Sequence, residues 1–493
     1  MNKKKKDKDW FKDRGYLHFT NRIPIDKRSS VLKYILDPKN IAQHSFSPLI
    51  LKHIKQRRFK KSEFNGLSRR SHKTIEDGAY ISNTKVRDIM YATHIDAHIY
   101  SYYTQKRLYP LYNDYLNSKN ILTASVTAYR QIPSDNGKGY KNNVHFAKDA
   151  FDEIKSRENC VALTFDIKNF FPSLDHKHLK KMWCNLLKTK SLPKDHYNLF
   201  KAVTNFSYVK QKDLRTVKGH FDEKKIAQNK KNGKQTFFYS LKELFESGIQ
   251  IYKNENRKKG DICGIPQGLP ISAMLANLYM LPFDEEIIEK FVKTKGVFYR
   301  RYSDDIIVIC NPKDREKVEA FIYEEIKKIK LKISPEKTER YLFSQGEDRL
   351  TCSKMINNKW IENIPLTYLG FEFYGYQTLI KSKNLSAFYR EMKETIHRKA
   401  NRVNSVKSKY LLDEAPIFKR KIYRLYSYKG IKKRKLQKGK QTRIFRGNYI
   451  KYAYRAAEEM NAPEIKKQLH NHWKILQSTL HNHDFSNINK NQE

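Results

Sequence analysis

The hydrophobic pattern is sharpest in the middle of the chain. Residues 160–167 read CVALTFDI, mostly apolar and too short for a helix; this predicts a strand with Val161, Leu163 and Phe165 on one face and Asp166 at its end on the other. Residues 298–302 and 306–310 are two further apolar strands, separated only by Ser303-Asp304-Asp305, so they read as a hairpin with carboxylates at its tip. Residues 366–374 alternate as one strand, with Thr367, Leu369, Phe371 and Phe373 on one face. A shorter strand is predicted at 128–133, followed by a polar Gly-containing turn over 135–142.

Helical spacing appears at 86–116 (Ile89, Met90, Thr93, Ile95, Ile99, Tyr102, Tyr103), at 271–283 behind Pro270 and Ser272, and at 314–329. Beyond residue 385 the pattern reads as basic helices to the end, interrupted by a loop at 429–435. The first ~85 residues are basic and irregular, an arm with short helices facing nucleic acid, and the Lys-rich stretch at about 210–260 reads as an exposed insertion. The expected organisation is an arm (1–85), a helical and turn-rich region (86–159), a sheet-containing centre (160–385) and a helical tail (386–493), an α+β chain.

Composition narrows the partner. Lys and Arg number 99 against 52 Asp and Glu, a formal charge of +47 over 493 residues. Neutralising phosphates releases counterions, so a polyanion such as nucleic acid is the natural partner, with a ribosomal-type binder or a basic membrane-surface protein as alternatives. The five cysteines (Cys160, Cys184, Cys263, Cys310, Cys352) contain no CxxC pair, which argues against a zinc ribbon and suits a reducing, cytoplasmic location. No apolar run approaches the ~20 residues of a membrane span. In the tail, Leu469-His470-Asn471-His472 recurs as Leu480-His481-Asn482-His483. It is read as a surface touching RNA rather than a metal site, since cysteine and acidic partners are missing. Tyr449, Tyr452 and Tyr454 read as core packing, with base stacking as the alternative.

The chemistry concentrates in two places. Asp166, Asp304 and Asp305 would repel one another if crowded together, and a divalent ion makes such crowding favourable. Mg²⁺ accepts few protein carboxylates because water and substrate phosphates complete its shell, and two such ions can serve an in-line phosphoryl transfer. An Asp-Asp pair also suits a plain hairpin turn. The second place is the run 263–272, CGIPQGLPIS, where Gly264 and Gly268 permit close backbone approach, Pro266 and Pro270 stiffen the loop, and Gln267 offers both a donor and an acceptor.

These segments together resemble the motifs of reverse transcriptases. Asp166-Ile167-Lys168-Asn169-Phe170-Phe171 is similar to motif A, 264–272 running on through Leu275-Ala276-Asn277-Leu278-Tyr279 to motif B, and Tyr302-Ser303-Asp304-Asp305 to motif C, with Ser303 where a small residue such as Ala is usual. Ser334-Pro335-Glu336-Lys337-Thr338 resembles motif D and Tyr368-Leu369-Gly370-Phe371 motif E, all in the family's order over about 125–375.

The resemblance implies a right-hand polymerase of the α+β class, with fingers (86–159), palm (160–385) and an α-helical thumb. It implies two Mg²⁺ ions, with Mn²⁺ as a substitute, held by Asp166, Asp304, Asp305 and the Ile167 carbonyl. It makes Phe171 a steric gate against ribose, places Gln267 and Gly268 at the nucleotide and template, Lys337 near the leaving pyrophosphate, and Tyr368, Leu369 and Gly370 on the primer strand. Arg130, Lys138 and Lys141 are expected to hold the triphosphate, from charge and position.

Within the family, paired zinc cysteines, a Val-Thr-Gly thumb element and RNase H acids are not found. The chain most resembles the bacterial unknown-group and abortive-infection enzymes of antiphage defence. Expected partners are then a cognate non-coding RNA, dNTPs and a DNA product, with homo-oligomers compatible and no membrane. A group II intron- or retron-like enzyme and an inactive RNA-binding scaffold are the alternatives.

Overall fold

The computed structural model describes residues 9–483 except 58–59, 65–66, 72, 77–78, 136, 138, 259–261, 412–418, 431–433, 439–440 and 446. Its centre is a six-stranded antiparallel sheet in the order Phe298–Tyr302, Asp305–Cys310, Cys160–Asp166, Glu339–Gln345, Leu350–Ile356, Lys359–Glu362. Cys160–Asp166 therefore lies inside the sheet, and both of its faces are covered. Val161, Leu163 and Phe165 join one core with Ile306 and Val308, while Cys160 and Ala162 join another with Ile307, Ile309, Tyr341 and Phe343. Burial on both faces accounts for a nearly continuous apolar run where a one-sided strand would alternate.

The first core also takes the helices Ser272–Tyr279, Leu281–Ile287 and Arg315–Lys328, through Leu275, Leu278, Phe283, Val318 and Ile322. The second takes Asn143–Arg157 through Val144, Phe151 and Ile154, and continues without a break into the C-terminal helices through Phe388, Met392, Ile422, Ile450 and Leu480. The 29-residue helix Ser382–Tyr410 starts a few residues before the expected boundary at 386.

Several local expectations are corrected. Residues 86–91 are not helical: Thr84–Tyr91 pairs antiparallel with Leu49–Arg57, so the expected limit at 85 falls inside a strand. Ile89 and Met90 fit a strand as well as a helix when read alone, and the cross-strand partner decides. Helix begins at His94, capped by Thr93. Residues 128–133 form no strand; Val126 and Pro133 make isolated bridges to Arg301 and Tyr140. Residues 366–374 are two strands, Leu366–Tyr368 and Phe371–Phe373, because Leu369 and Gly370 both take positive φ (43° and 96°) and turn the chain back.

The stretch at 210–260 is not a simple exposed loop. Phe237, Phe238 and Leu244 bury against Phe19, Ile50 and Val209. The tail is not wholly helical, because Arg434–Lys438 and Gln441–Phe445 form a hairpin. His472 is buried, with its Nε2 2.6 Å from the Tyr426 carbonyl, so it cannot belong to an exposed RNA surface. Tyr449 stacks on Phe388 at 4.5 Å, a packing role. No helix of the described residues is long and apolar enough to cross a membrane.

Candidate active site

Asp305 opens its strand opposite Tyr302, leaving Ser303 and Asp304 as a two-residue turn. Ser303 has φ of 65°, the left-handed backbone that such turns require. On its other side Asp305 pairs in register with Asp166. Directly paired residues share a sheet face with Cβ atoms about 5 Å apart, so the Asp166 and Asp305 carboxylates stand together and Asp304 joins them from the turn.

Crowding shows in the electrostatics. Asp304 is harder to ionise than an ordinary aspartate, first because of burial and then because of Asp166. Asp305 is exposed, yet lost hydration from the protein packed around it, then Asp304, then Asp166, push its carboxyl up to about 7. Lys381 and Lys337 oppose this rise. Lys337 Nζ lies 3.0 and 3.1 Å from the two Asp166 oxygens, putting positive charge where these acids need it.

Oxygen donors alone, mutually repelling and half open to solvent, fit a hard divalent cation. Among the described residues no group of three or more acidic, histidine or cysteine side chains is arranged to hold a metal ion by itself. Mg²⁺ needs none, because water and phosphate oxygens fill most of its shell. Ile167 follows Asp166 with its backbone bridged to Ile333, and the Ser334 amide donates to the Asp166 carbonyl (2.9 Å), so the 333–334 segment fixes the strand end.

The 263–272 run is tied to the segment after Asp166. The Ile265 amide donates to the Phe171 carbonyl (3.0 Å) and the Gly264 amide to the Leu174 carbonyl (2.9 Å). The Phe171 backbone is thereby tied to this loop, and its half-buried ring lies 5.5 Å from that of Phe170. On the far side the Met90 amide donates to the Gln267 carbonyl (2.8 Å). Gly268 has φ of 111°, and a Cβ there would meet the Met90 carbonyl oxygen at 2.7 Å, so the loop can pass this strand only with glycine.

The sequence pattern described as "Reverse transcriptase (RNA-dependent DNA polymerase)" matches residues 82–373, more than half of the chain, including the three acids and the 263–272 loop. The chain belongs to the reverse transcriptase family. No curated protein sequence matches it. Among solved structures it is similar to apo telomerase from Candida tropicalis truncated from its C-terminal domain (12% identity, TM-score 0.38, 68% of this chain and 56% of that one). It is also similar to telomerase from Candida albicans in complex with a TWJ fragment of telomeric RNA (12% identity, TM-score 0.37, 92% and 64%). The chain therefore spans less than two thirds of either structure's length.

Other expected residues of this reverse transcriptase domain are placed as follows. Tyr368 is buried beneath the site, where burial and then Asp305 raise its phenol, and Leu369-Gly370 form the turn after it. The Leu369 carbonyl accepts from Asn143 Nδ2 (3.2 Å) and the Gly370 carbonyl from the Lys381 amide (3.0 Å). Arg130 does not present a free guanidinium: it is buried and donates to the Val126 carbonyl (2.8 Å), Asn113 (3.0 Å) and Thr123 (2.6 Å). Lys141 is likewise engaged internally, with Asp149 and Asp135 at 3.0 Å. Lys138 lies outside the described residues.

Sequence reasoning missed Lys381 and Lys85, whose charges ease ionisation of Asp305 and Asp304 respectively. It also missed the buried Arg301–Asp284 ion pair behind the hairpin (2.6 Å). The signal was present in the Arg300-Arg301 pair inside an otherwise apolar strand, since a buried charge requires a partner.

Proposed function

We propose that this protein is an RNA-directed DNA polymerase joining deoxynucleotides to a 3′-hydroxyl by two-metal phosphoryl transfer. The observation that carries this reading is the in-register Asp166–Asp305 pair with Asp304 on the adjoining turn. Asp166, Asp304, Asp305 and the Ile167 carbonyl would hold two Mg²⁺ ions, for which Mn²⁺ could substitute. Bound there, such ions supply charge stabilisation to the attacking and leaving oxygens.

The chain's own groups do the rest. The Phe171 ring, fixed through its carbonyl to Ile265, stands where a ribose 2′-hydroxyl would clash, which favours dNTPs. Gln267 and Gly268 hold the nucleotide against the template. The Lys337 ammonium, beside Asp166, can turn to the departing pyrophosphate. The turn at Tyr368, Leu369 and Gly370 grips the primer. Arg130, in this reading, acts as an internal brace, and the triphosphate is met instead by lysines near the acids.

A cognate non-coding RNA and a role in antiphage defence are proposed from the motif resemblance, and a cytoplasmic setting from the cysteine spacing. The charge of +47 supports the nucleic-acid partner.

The test is to purify the protein with its co-purifying nucleic acid, supply Mg²⁺ with each dNTP or rNTP, and sequence the product beside Asp304→Ala. DNA complementary to a bound RNA, missing from the variant, is expected. No incorporation with RNA still bound would favour an RNA-binding scaffold instead.

A further inference from the structure

Two non-glycine residues close to the acids have left-handed backbone: Ser303 (φ 65°) and Tyr129 (φ 63°). Their segments meet at Arg301. Val126 bridges Arg301 in parallel, and the Thr127 amide and Oγ1 both donate to the Arg301 carbonyl at 3.0 Å. Asn277 and Arg301 then bind the Ala128 and Ser303 carbonyls into one network, and Tyr129 and Asp304 are the residues that follow these two in the chain.

One buried network fixes both turns. Arg301 donates to the Ser303 carbonyl (3.1 Å), to Asn277 Oδ1 (3.1 Å) and through two nitrogens to Asp284 (2.7 and 2.6 Å). Asn277 Nδ2 in turn donates to the Ala128 carbonyl (2.9 Å). Arg301 and Asp284 are wholly buried and Asn277 nearly so. Directly after Tyr129, Arg130 is locked by its own bonds to Val126, Asn113 and Thr123.

The residue held so firmly is 50% exposed. Left-handed backbone is unfavourable for tyrosine and persists where surroundings over-determine it, as at functional sites. A glycine would satisfy this turn with less strain, and the ring is too exposed to be there for packing. Its neighbourhood is the catalytic turn: after burial, Tyr129 and then Asp305 raise the Tyr302 phenol.

We propose that Tyr129 is a nucleobase-contacting residue of the polymerase site, a stacking platform held beside the catalytic turn by the Arg301–Asp284–Asn277 network. This rests on the polymerase reading above. A rigid aromatic face takes any base, so the shared chemistry is a nucleobase, either of the template or of the incoming dNTP.

The experiment compares wild type, Tyr129→Phe, Tyr129→Gly and Asp304→Ala in melting temperature, in steady-state addition of one dNTP, and in primer–template affinity by fluorescence anisotropy. Tyr129→Gly should melt at or above wild type, because glycine accepts the backbone without strain. Its kcat/KM should fall by about tenfold or more, the loss of one stacked base. Tyr129→Phe should stay near wild type. A raised KM with unchanged primer–template affinity assigns the incoming base to the ring; weakened primer–template affinity assigns the template base.

Unchanged kcat/KM and affinity in Tyr129→Gly would overturn the proposal. So would parallel loss of melting temperature and activity, or a Tyr129→Phe as impaired as Tyr129→Gly. A wild type as inactive as Asp304→Ala would overturn the polymerase reading as well, whereas an active wild type with an indifferent Tyr129→Gly overturns this proposal alone.

Discussion

At Asp305 lost hydration and two neighbouring carboxylates act together, raising its pKa from 3.8 to about 7, against the pull of Lys381 and Lys337. A carboxylate raised on folding is easiest to accommodate protonated. Its contribution is therefore complete below about pH 4 and is lost as pH rises through about 7. In metal-free protein, Asp305→Asn should melt with wild type near pH 4 and above it at pH 8, the gap opening between those values in thermal denaturation. Added Mg²⁺ should raise the wild-type melting temperature at pH 8 and act weakly on the variant. A gap that closes with rising pH would contradict this electrostatic account. Phe171 makes a second residue-scale claim. Phe171→Ala should reduce discrimination against rNTPs by roughly ten- to a hundredfold, the scale of pocket-based steric selection, in single-nucleotide competition assays.

At the scale of elements, the site depends on how the 263–272 loop and the acid-bearing hairpin are held. Gly268→Ala needs both a disfavoured backbone and a Cβ 2.7 Å from the Met90 carbonyl. It should destabilise the protein by about 1–3 kcal/mol in chemical denaturation. Asp284→Ala leaves Arg301 buried without its carboxylate and should cost about 3–5 kcal/mol, because an uncompensated interior charge is the expensive case.

These elements also show what could be read from sequence. The acids, the Gly-Pro loop and the hairpin were legible because their spacing is local and each demands a particular backbone. Residues 86–91 were misread because Ile89 and Met90 suit two periods, and only pairing with Leu49–Arg57 chooses one. The Leu369-Gly370 turn was hidden by alternation that continues across it. Arg130 and Lys141 were assigned to substrate from charge and position, and neither reveals partners such as Asn113 or Asp149 that lie inside the fold.

For the whole molecule, the α+β class was legible in strands mixed with helices and a mainly helical tail. How the tail packs was not, because its burial against the central sheet through Phe388, Met392 and Ile450 is a long-range property. The charge of +47 sets how the protein meets its partner. Affinity for primer–template should fall linearly with salt on logarithmic axes, by ~10³ or more between 50 and 200 mM if several phosphates are neutralised, as titration by anisotropy would show.

The most direct test of the central claim is primer extension on a defined RNA template with Mg²⁺ and all four dNTPs, wild type beside Asp166→Asn and Asp304→Asn. Template-complementary DNA from wild type alone, with RNA affinity retained in both variants, is the predicted result. Equal extension by wild type and variants would show that Asp166 and Asp304 do not form the polymerase site.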